Sequence, residues 1–362
     1  MSPAAMLIVD AHLDLAYNAL VHGRNLRAPL AEVRAAEAGR EETGRIGTAT
    51  VSLPELRAAG VALVFGTLFV APAGSEELAR ERPFSYRTPE EAHRLAQEQL
   101  DFYHRLADEV EYVRLVTGLA GLEAVLKSHE GEGPGLLGIM PLMEGADPVR
   151  RPAELEQWHE RGLRAIGPAW DDTRYAPGAW KAGGPLTAAG RKLLNSMADF
   201  HLILDLTHMA EQASLEALDR YPGPVMSSHA NARALVPTNR QLSDIQIRRI
   251  AERDGVLGIV LANGFLKEGH KRADPKQNVT LQHVADHIDH FCQLIGDAGH
   301  VGIGSDFDGG FGREHVPAGV DAPADLLQLA PVLRERGYSQ ADAAGILGGN
   351  WIAFLRRAWA AG

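Results

Sequence analysis

The sequence predicts an α/β fold of the (β/α)8, TIM-barrel type. Three observations carry that expectation. Eight short, β-rich apolar runs recur along the 362 residues. Longer segments of helical character separate most of them, and alternating strands and helices imply parallel strands joined by crossovers. The runs are nearly all apolar, as expected of strands covered on both faces, while their polar residues gather at their C-terminal ends. Eight such units close naturally into a barrel. A doubly wound open sheet shares the alternation, but no glycine-rich phosphate fingerprint follows the first run.

Taken in order, the first run is MLIVDAHLD at 6–14. A charged, alanine-rich stretch follows at about 24–50 and reads as an inserted helix and loop. The second run is VALVFGTLFV at 61–70, followed by a long helical segment that opens on the cap signal Thr88-Pro89-Glu90-Glu91. A helical segment at 118–129 leads to the third run, GLLGIMPLME, at 135–144. The remaining runs are LRAIGPAW, LILDLTHM, GPVMSSHA, GVLGIVLANG and HVGIGSDFDG, starting at 163, 202, 223, 255 and 300. Helical segments lie between them at 187–201, 211–221, 243–254 and 280–299, with cap signals at Thr187 and at Ser243-Asp244. The stretch 310–326 is punctuated by Gly and Pro like a loop, and a last helical segment covers 338–359. One catalytic domain over 1–362 is expected, with the insertion at 24–50 and a C-terminal helical extension.

Composition narrows the function classes. The formal net charge of −11 runs against nucleic acid or an anionic membrane surface as partner. The single cysteine, Cys292, excludes an intrachain disulfide and a thiolate metal cluster, and its setting in HIDHFCQLIG reads as a buried helix position. The N-terminus lacks the basic region of a signal peptide, and no apolar run approaches the roughly 20 residues of a membrane span. A soluble cytoplasmic protein is expected. A homodimer, the commonest soluble assembly, is the expectation for its oligomeric state.

In a barrel, reacting groups stand at the C-terminal ends of the strands. Run 1 ends in His12 and Asp14, run 3 in Glu144, run 5 in His208, run 6 in His229 and run 8 in Asp306, then Asp308. One strand-end His is ordinarily a hydrogen-bonded rim residue, and one strand-end Asp is ordinarily a helix cap. Three histidines and three carboxylates at one rim, His12, Asp14, Glu144, His208, His229 and Asp306, instead suggest a metal site. Asp10, deeper on β-run 1, reads as a hydrogen-bonded support. Imidazole and carboxylate without thiolate suit zinc, manganese, iron, nickel or cobalt. Five ligands are too many for one open tetrahedral zinc, but they suit two metals bridged by a carboxylate, for which Glu144 is the natural choice. Such a pair acidifies a shared water, and the chemistry is hydrolysis at a carbonyl or phosphoryl centre: a metal-dependent hydrolase-like barrel. A second cluster, His283, His287 and His290, shares one helix face, but that helix lies outside the barrel and reads as a solvated face.

These residues sit in motifs that resemble the membrane (renal) dipeptidase family of binuclear zinc peptidases. The matching stretches are DAHLDL, LMEGAD, LDLTHM, PVMSSHANARAL, NRQLSD, VGIGSDFDG and GGNWIAFL, in the family's order over nearly the whole chain, with LPELRAAGV before the second strand. The resemblance implies two zinc ions, one held by His12, Asp14 and bridging Glu144, the other by Glu144, His208 and His229. It implies catalysis by a zinc-bridged hydroxide with Asp306 shuttling the proton, and Arg240 holding the carboxylate of a dipeptide, the small-molecule substrate, with D-residues accepted at its C-terminal position. Arg233 is a weaker candidate for the same carboxylate. The sequence departs from the pattern after run 4, where Trp170 occupies the position of the family's usual His. Tryptophan neither ligates zinc nor accepts a proton. Three readings follow: a dipeptidase, a related amide or ester hydrolase whose substrate contacts Trp170, or a metal-retaining binding protein without turnover. Asp171 and Asp172 are the nearby carboxylates that could replace the missing His. The cysteines and anchor signal of lipid-anchored relatives are not matched, so the resemblance carries no membrane attachment.

Overall fold

The computed structural model describes residues 6–74, 85–131, 133–181 and 183–360; the ends of the expected 1–362 domain lie outside the described residues. All eight apolar runs contribute strands: β1 (Ile8–Leu13), β2 (Val61–Phe69), β3 (Leu137–Glu144), β4 (Ala165–Gly167), β5 (Ile203–Asp205), β6 (Val225–Met226), β7 (Leu257–Ile259) and β8 (Val301–Ile303). They pair in parallel in the order β7-β8-β1-β2-β3-β4-β5-β6. The two ends of that path meet just past β6. Ser227 bridges Leu257 in parallel, with its N–H donated to the Val256 carbonyl at 3.0 Å and its own carbonyl accepting from Gly258 at 2.8 Å. The result is the nearly closed eight-strand barrel that the alternation predicts.

Among the described residues three short strands escape the sequence reading: Ala71–Pro72 and Ser85–Tyr86, which pair with each other, and Val113–Leu115 in the barrel sheet. Val113–Leu115 pairs with the first half of β3, on the edge whose second half takes β4. Three residues between two helices give too short an apolar run to announce a strand.

Local sequence explains the helix starts. Thr88 and Glu91 form a reciprocal capping box at Pro89–Glu109, Ser243 and Gln246 do the same at Asp244–Ala251, and Thr187 accepts from the Gly190 N–H at Ala188–Asp199. The C-terminal helix Asn350–Ala360 packs Trp351 with Val9, Ala11, Phe65 and Met140, and the indole N–H donates to the Ile303 carbonyl at 2.9 Å. Close approach there demands glycine: a Cβ at Gly348 would stand 2.6 Å from the Leu7 carbonyl oxygen. Among the described residues no helix is long and apolar enough to cross a membrane.

The helix Leu281–Ile295 corrects one expectation. Its histidines do not form a solvated face. His287 is fully buried, accepts the Ala232 N–H at Nδ1 (3.1 Å) and faces the Leu266 carbonyl through Nε2 (3.2 Å). His283 serves the helix's own cap with Thr280, and His290 pairs with Asp244 at 2.8 Å. Periodicity alone cannot show that two other segments fold down onto the middle of this face. Cys292 is half-buried against the core, and burial pushes its thiol up to about 11.

Candidate metal centre

The polar strand ends converge. His12 and Asp14 leave β1, Glu144 ends β3, His208 follows β5, His229 follows β6 and Asp306 follows β8. Their ligand atoms fall into three overlapping groups, each within 4.8 Å: His12, Asp14 and Glu144; Glu144, His208 and His229; His12, His229 and Asp306. All six residues are buried, none more than 8% exposed. Asp308, only two residues further on, does not join them.

Backbone irregularities aim these side chains. β1 shifts register against β2 between Asp10 and Leu13, the kind of bulge that redirects a side chain at a barrel rim. His208 and Asp306 adopt left-handed backbone, with φ of 65° and 58°. Such positions cost about 1–3 kcal/mol and persist where the surroundings over-determine them. Gly309 makes room for Asp306, since a Cβ there would stand 1.9 Å from its Oδ1. Beneath the cluster, Asp10 accepts from the Ser305 N–H at 2.8 Å, the Ser305 hydroxyl and the His12 N–H, so it supports the β1 and β8 ends and stays out of the ligand groups. Asp205, which the sequence reading did not single out, does the same for the next pair, accepting from Thr207 N–H at 3.1 Å and Ser228 N–H at 2.9 Å.

Glu144 lies at the centre. Its Oε2 is 3.6 Å from His12 Nε2, while Oε1 is 3.0 Å from His208 Nε2 and 3.5 Å from His229 Nε2. His12 Nε2 also faces Asp14 Oδ1 at 3.9 Å and Asp306 Oδ1 at 3.7 Å. The two nitrogens His208 Nε2 and His229 Nε2 approach to 3.0 Å. Glu144 Oε1 nonetheless makes no hydrogen bond of acceptable geometry. Three lone-pair atoms facing one another across a buried gap are costly alone and suited to a shared cation. The tautomers agree where partners exist: His229 Nδ1 lies 2.8 Å from the Ser228 hydroxyl, which leaves Nε2 to the cluster.

Electrostatics fit a cation as well. Burial, reinforced by Arg240, pushes the His12 imidazole down to about 3, and burial first, with neighbouring positive groups, holds His208 and His229 well below their usual range. Imidazoles held neutral keep their lone pairs available. Burial raises Asp14 to about 6 against the pull of the Thr67 hydroxyl. Burial and the Asp14 and Asp306 charges raise Glu144, while burial and Asp14 raise Asp306; Arg240 opposes both. Crowded carboxylates of this kind are relieved by divalent ions. The residues present therefore fit two metal ions, with His12, Asp14 and Glu144 around one and Glu144, His208 and His229 around the other.

A cavity of about 260 Å³ opens over the cluster, at the small end for ligand pockets. Arg240 and Trp170 both line it. Arg240 is 3% exposed; Nη2 donates to the His229 carbonyl at 2.9 Å, whereas Nε and Nη1 are buried without a partner. Burial lowers this guanidinium to about 10, Asp306 and Glu144 opposing the shift. Arg233 is engaged elsewhere, with Glu211 at 2.5 Å and the Gln241 carbonyl. Asp171 pairs with Lys181 at 3.3 Å and Asp172 accepts from Gly178 N–H at 2.9 Å, so neither replaces an imidazole over the cluster. Trp180 and Phe265, which sequence reasoning did not single out, also line the cavity, their rings 6.1 Å apart. A tryptophan in the polar loop DDTRYAPGAW was the available signal.

The match to known proteins decides the family: the model of the membrane dipeptidase family, Peptidase family M19, covers residues 3–361. The chain belongs to the membrane dipeptidase family. Among curated relatives, an uncharacterised protein of Klebsiella pneumoniae is 32% identical over 57% of this chain and 76% of its own length. A dipeptidase of Aspergillus oryzae, aclJ, is 30% identical over 71% of this chain and 60% of its own. The fold matches a Rhodobacter sphaeroides metallopeptidase with a TM-score of 0.79 at 24% identity, covering 98% of this chain and 99% of that one. It also matches PvdM, a probable dipeptidase of Pseudomonas aeruginosa, with a TM-score of 0.76 at 18% identity, covering 99% and 96%. The M19 chain described here therefore shares a whole-length barrel with metallopeptidases of its family.

Proposed function

We propose that this M19 chain is a zinc-dependent dipeptidase that hydrolyses the peptide bond of its substrate over two zinc ions. The observation that carries the reading is the division of Glu144, one oxygen turned to His12 and the other to His208 and His229. Bound there, the ions supply an acidified water at neutral pH and Lewis-acid polarisation of the scissile carbonyl. The chain's own residues do the rest. Asp306, pushed upward by burial and Asp14 and faced by Arg240, is the group to take a proton from the attacking water and give it to the leaving amine. Arg240 holds the substrate's carboxylate through its unpartnered Nε and Nη1, a fork that matches two carboxylate oxygens. A carboxylate fixed at Arg240 together with a free amino terminus held at the cluster would favour dipeptides over longer chains. The Rhodobacter sphaeroides enzyme was captured with a phosphinate mimic of L-Ala-D-Ala, which supports including D-residues at the C-terminal position.

A second reading keeps the metals and exchanges the dipeptide for another amide or ester. Trp170 in the pocket wall favours it, because an indole offers a flat apolar surface and no proton transfer. A panel of dipeptides, with both stereoisomers at the C-terminal residue, separates the two when tested with zinc-loaded protein. Chelator-sensitive cleavage is the expected result. No cleavage with two metals bound would favour the second reading.

A further inference from the structure

We infer that Tyr17, Phe69 and Trp170 form the subsite for the side chain of the substrate's N-terminal residue, and that this subsite selects a large apolar, preferably aromatic, side chain. The inference rests on the dipeptidase reading and adds a substrate class to it. The pocket has two chemically different ends. At one end Arg240 stacks its guanidinium 5.4 Å from the Phe265 ring, and Trp180 lies 6.1 Å beyond Phe265. That end takes the carboxylate and the C-terminal residue. The other end adjoins Asp14 and Glu144: Tyr17 lies in the helix that starts after Asp14, Phe69 pairs with Glu144 between β2 and β3, and Trp170 sits against Gly145. There Tyr17 and Phe69 have ring centroids 5.1 Å apart, Phe69 and Trp170 are again 5.1 Å apart, and Trp170 reaches to 6.0 Å from the His208 ring. Once the carboxylate is held at Arg240 and the scissile carbonyl lies over the cluster, the N-terminal residue has this wall as its neighbour.

The wall is prearranged. Phe69 is fixed by Gln99, which accepts the Phe69 N–H at 3.0 Å and donates to its carbonyl. Trp170 is seated against Gly145, where an added Cβ would already touch it at 3.5 Å. His22, which also lines the cavity, has its ring 5.4 Å from Tyr17 and is held by Glu42 at 2.8 Å. The three rings themselves carry no charge, so a charged side chain laid against them would lose water without gaining a partner from the wall. An aromatic side chain would meet tilted rings at distances that favour aromatic pairs.

The test is kcat/KM of zinc-loaded protein for Phe-Ala, Gly-Ala, Lys-Ala and Glu-Ala. Phe-Ala is expected to exceed Gly-Ala by about 10- to 100-fold, with the two charged substrates at or below Gly-Ala. In Trp170→Ala and Phe69→Ala the ratio of Phe-Ala to Gly-Ala should fall to within about 3-fold with metal content unchanged. Trp170→Phe, which preserves a ring, should retain most of the ratio. If an alanine variant does not fold, the wild-type ranking and Trp170→Phe still decide. Gly-Ala, Lys-Ala or Glu-Ala turning over as fast as Phe-Ala would overturn the subsite while leaving the dipeptidase reading intact. Failure to cleave any of the four would overturn both.

Discussion

Asp306 and Asp308 stand two residues apart, both buried and both with left-handed backbone at φ 58° and 66°, yet they belong to different regions. Asp308 closes a clasp. It accepts from the Thr50 N–H and hydroxyl at 2.8 Å and the Val51 N–H at 3.1 Å, and it faces Arg24 at 3.3 Å. Arg24 in turn donates to Glu37 at 2.6 Å and to Asn18 and the Gly47 carbonyl at 2.8 Å. The clasp ties the inserted helices Leu30–Glu37 and Glu41–Ile46 to the barrel rim, and its charged groups are matched. Asp306 belongs to the cluster around Glu144, where carboxylates crowd one another and buried nitrogens and oxygens lack partners. Equal burial and equal strain thus accompany opposite hydrogen-bond accounts. A satisfied ion cluster is structural; an unsatisfied one awaits a ligand.

Substitutions at the two aspartates should separate the regions most sharply. Asp306→Asn is expected to lower kcat by roughly 10²- to 10⁴-fold, the range of a lost general acid–base, with thermal stability kept or raised. Glu144→Gln should cost activity by more than about 100-fold and remove bound metal together with it, since even outer partners of metal ligands are worth 10- to 100-fold. Metal analysis alongside turnover checks this, and activity surviving with both metals bound would contradict the assignment. Asp308→Asn should do the reverse of Asp306→Asn. It should cost about 2 kcal/mol of stability by removing the charge that accepts from Thr50 and Val51 and faces Arg24, which keeps Glu37 as its partner, with kcat/KM of the folded protein within about threefold. Denaturant titration measures the first and initial rates the second. Arg240→Lys should raise KM by about 10-fold at unchanged metal content, because an ammonium replaces the fork with a point charge.

The smallest effect sharpens the comparison through pH. Asp14 rises from an ordinary 3.8 to about 6 in the folded, metal-free chain, and burial with neighbouring carboxylates raises Glu144 and Asp306 further. A carboxylate raised on folding favours the fold while protonated, and that contribution is lost as pH climbs from the unfolded value through the folded one. Metal ions offset this loss, so the melting-temperature gap between metal-loaded and chelated protein should widen from pH 4 to beyond 6. The histidines, depressed in both forms, leave the gap unchanged above their unfolded value of 6.5. A gap that is flat over this range would contradict the cluster's electrostatics.

Much of this was legible in the sequence because it is local. Apolar runs set the eight strands, and the identities at their ends nominate His12, Asp14, Glu144, His208, His229 and Asp306. What separates Asp306 from Asp308 is not local: the groups that satisfy Asp308 come from Thr50 and Val51, more than 250 positions earlier. The burial of His287 is hidden for the same reason, since the backbone groups that cover it come from Ala232 and from Leu266 at the end of the helix Asn263–Leu266. The short strand Val113–Leu115 pairs with the part of β3 that β4 does not reach, a partner outside its own stretch of sequence. Trp180 comes from a turn and Phe265 from the short helix Asn263–Leu266, and no periodicity announces such a pair.

The most direct measurement is a zinc titration of metal-free protein, with bound metal per chain and dipeptide turnover read at every step. Turnover is expected to rise with metal and level off at two ions per chain. Full turnover at one ion or none, or no turnover of any dipeptide at two, would contradict it.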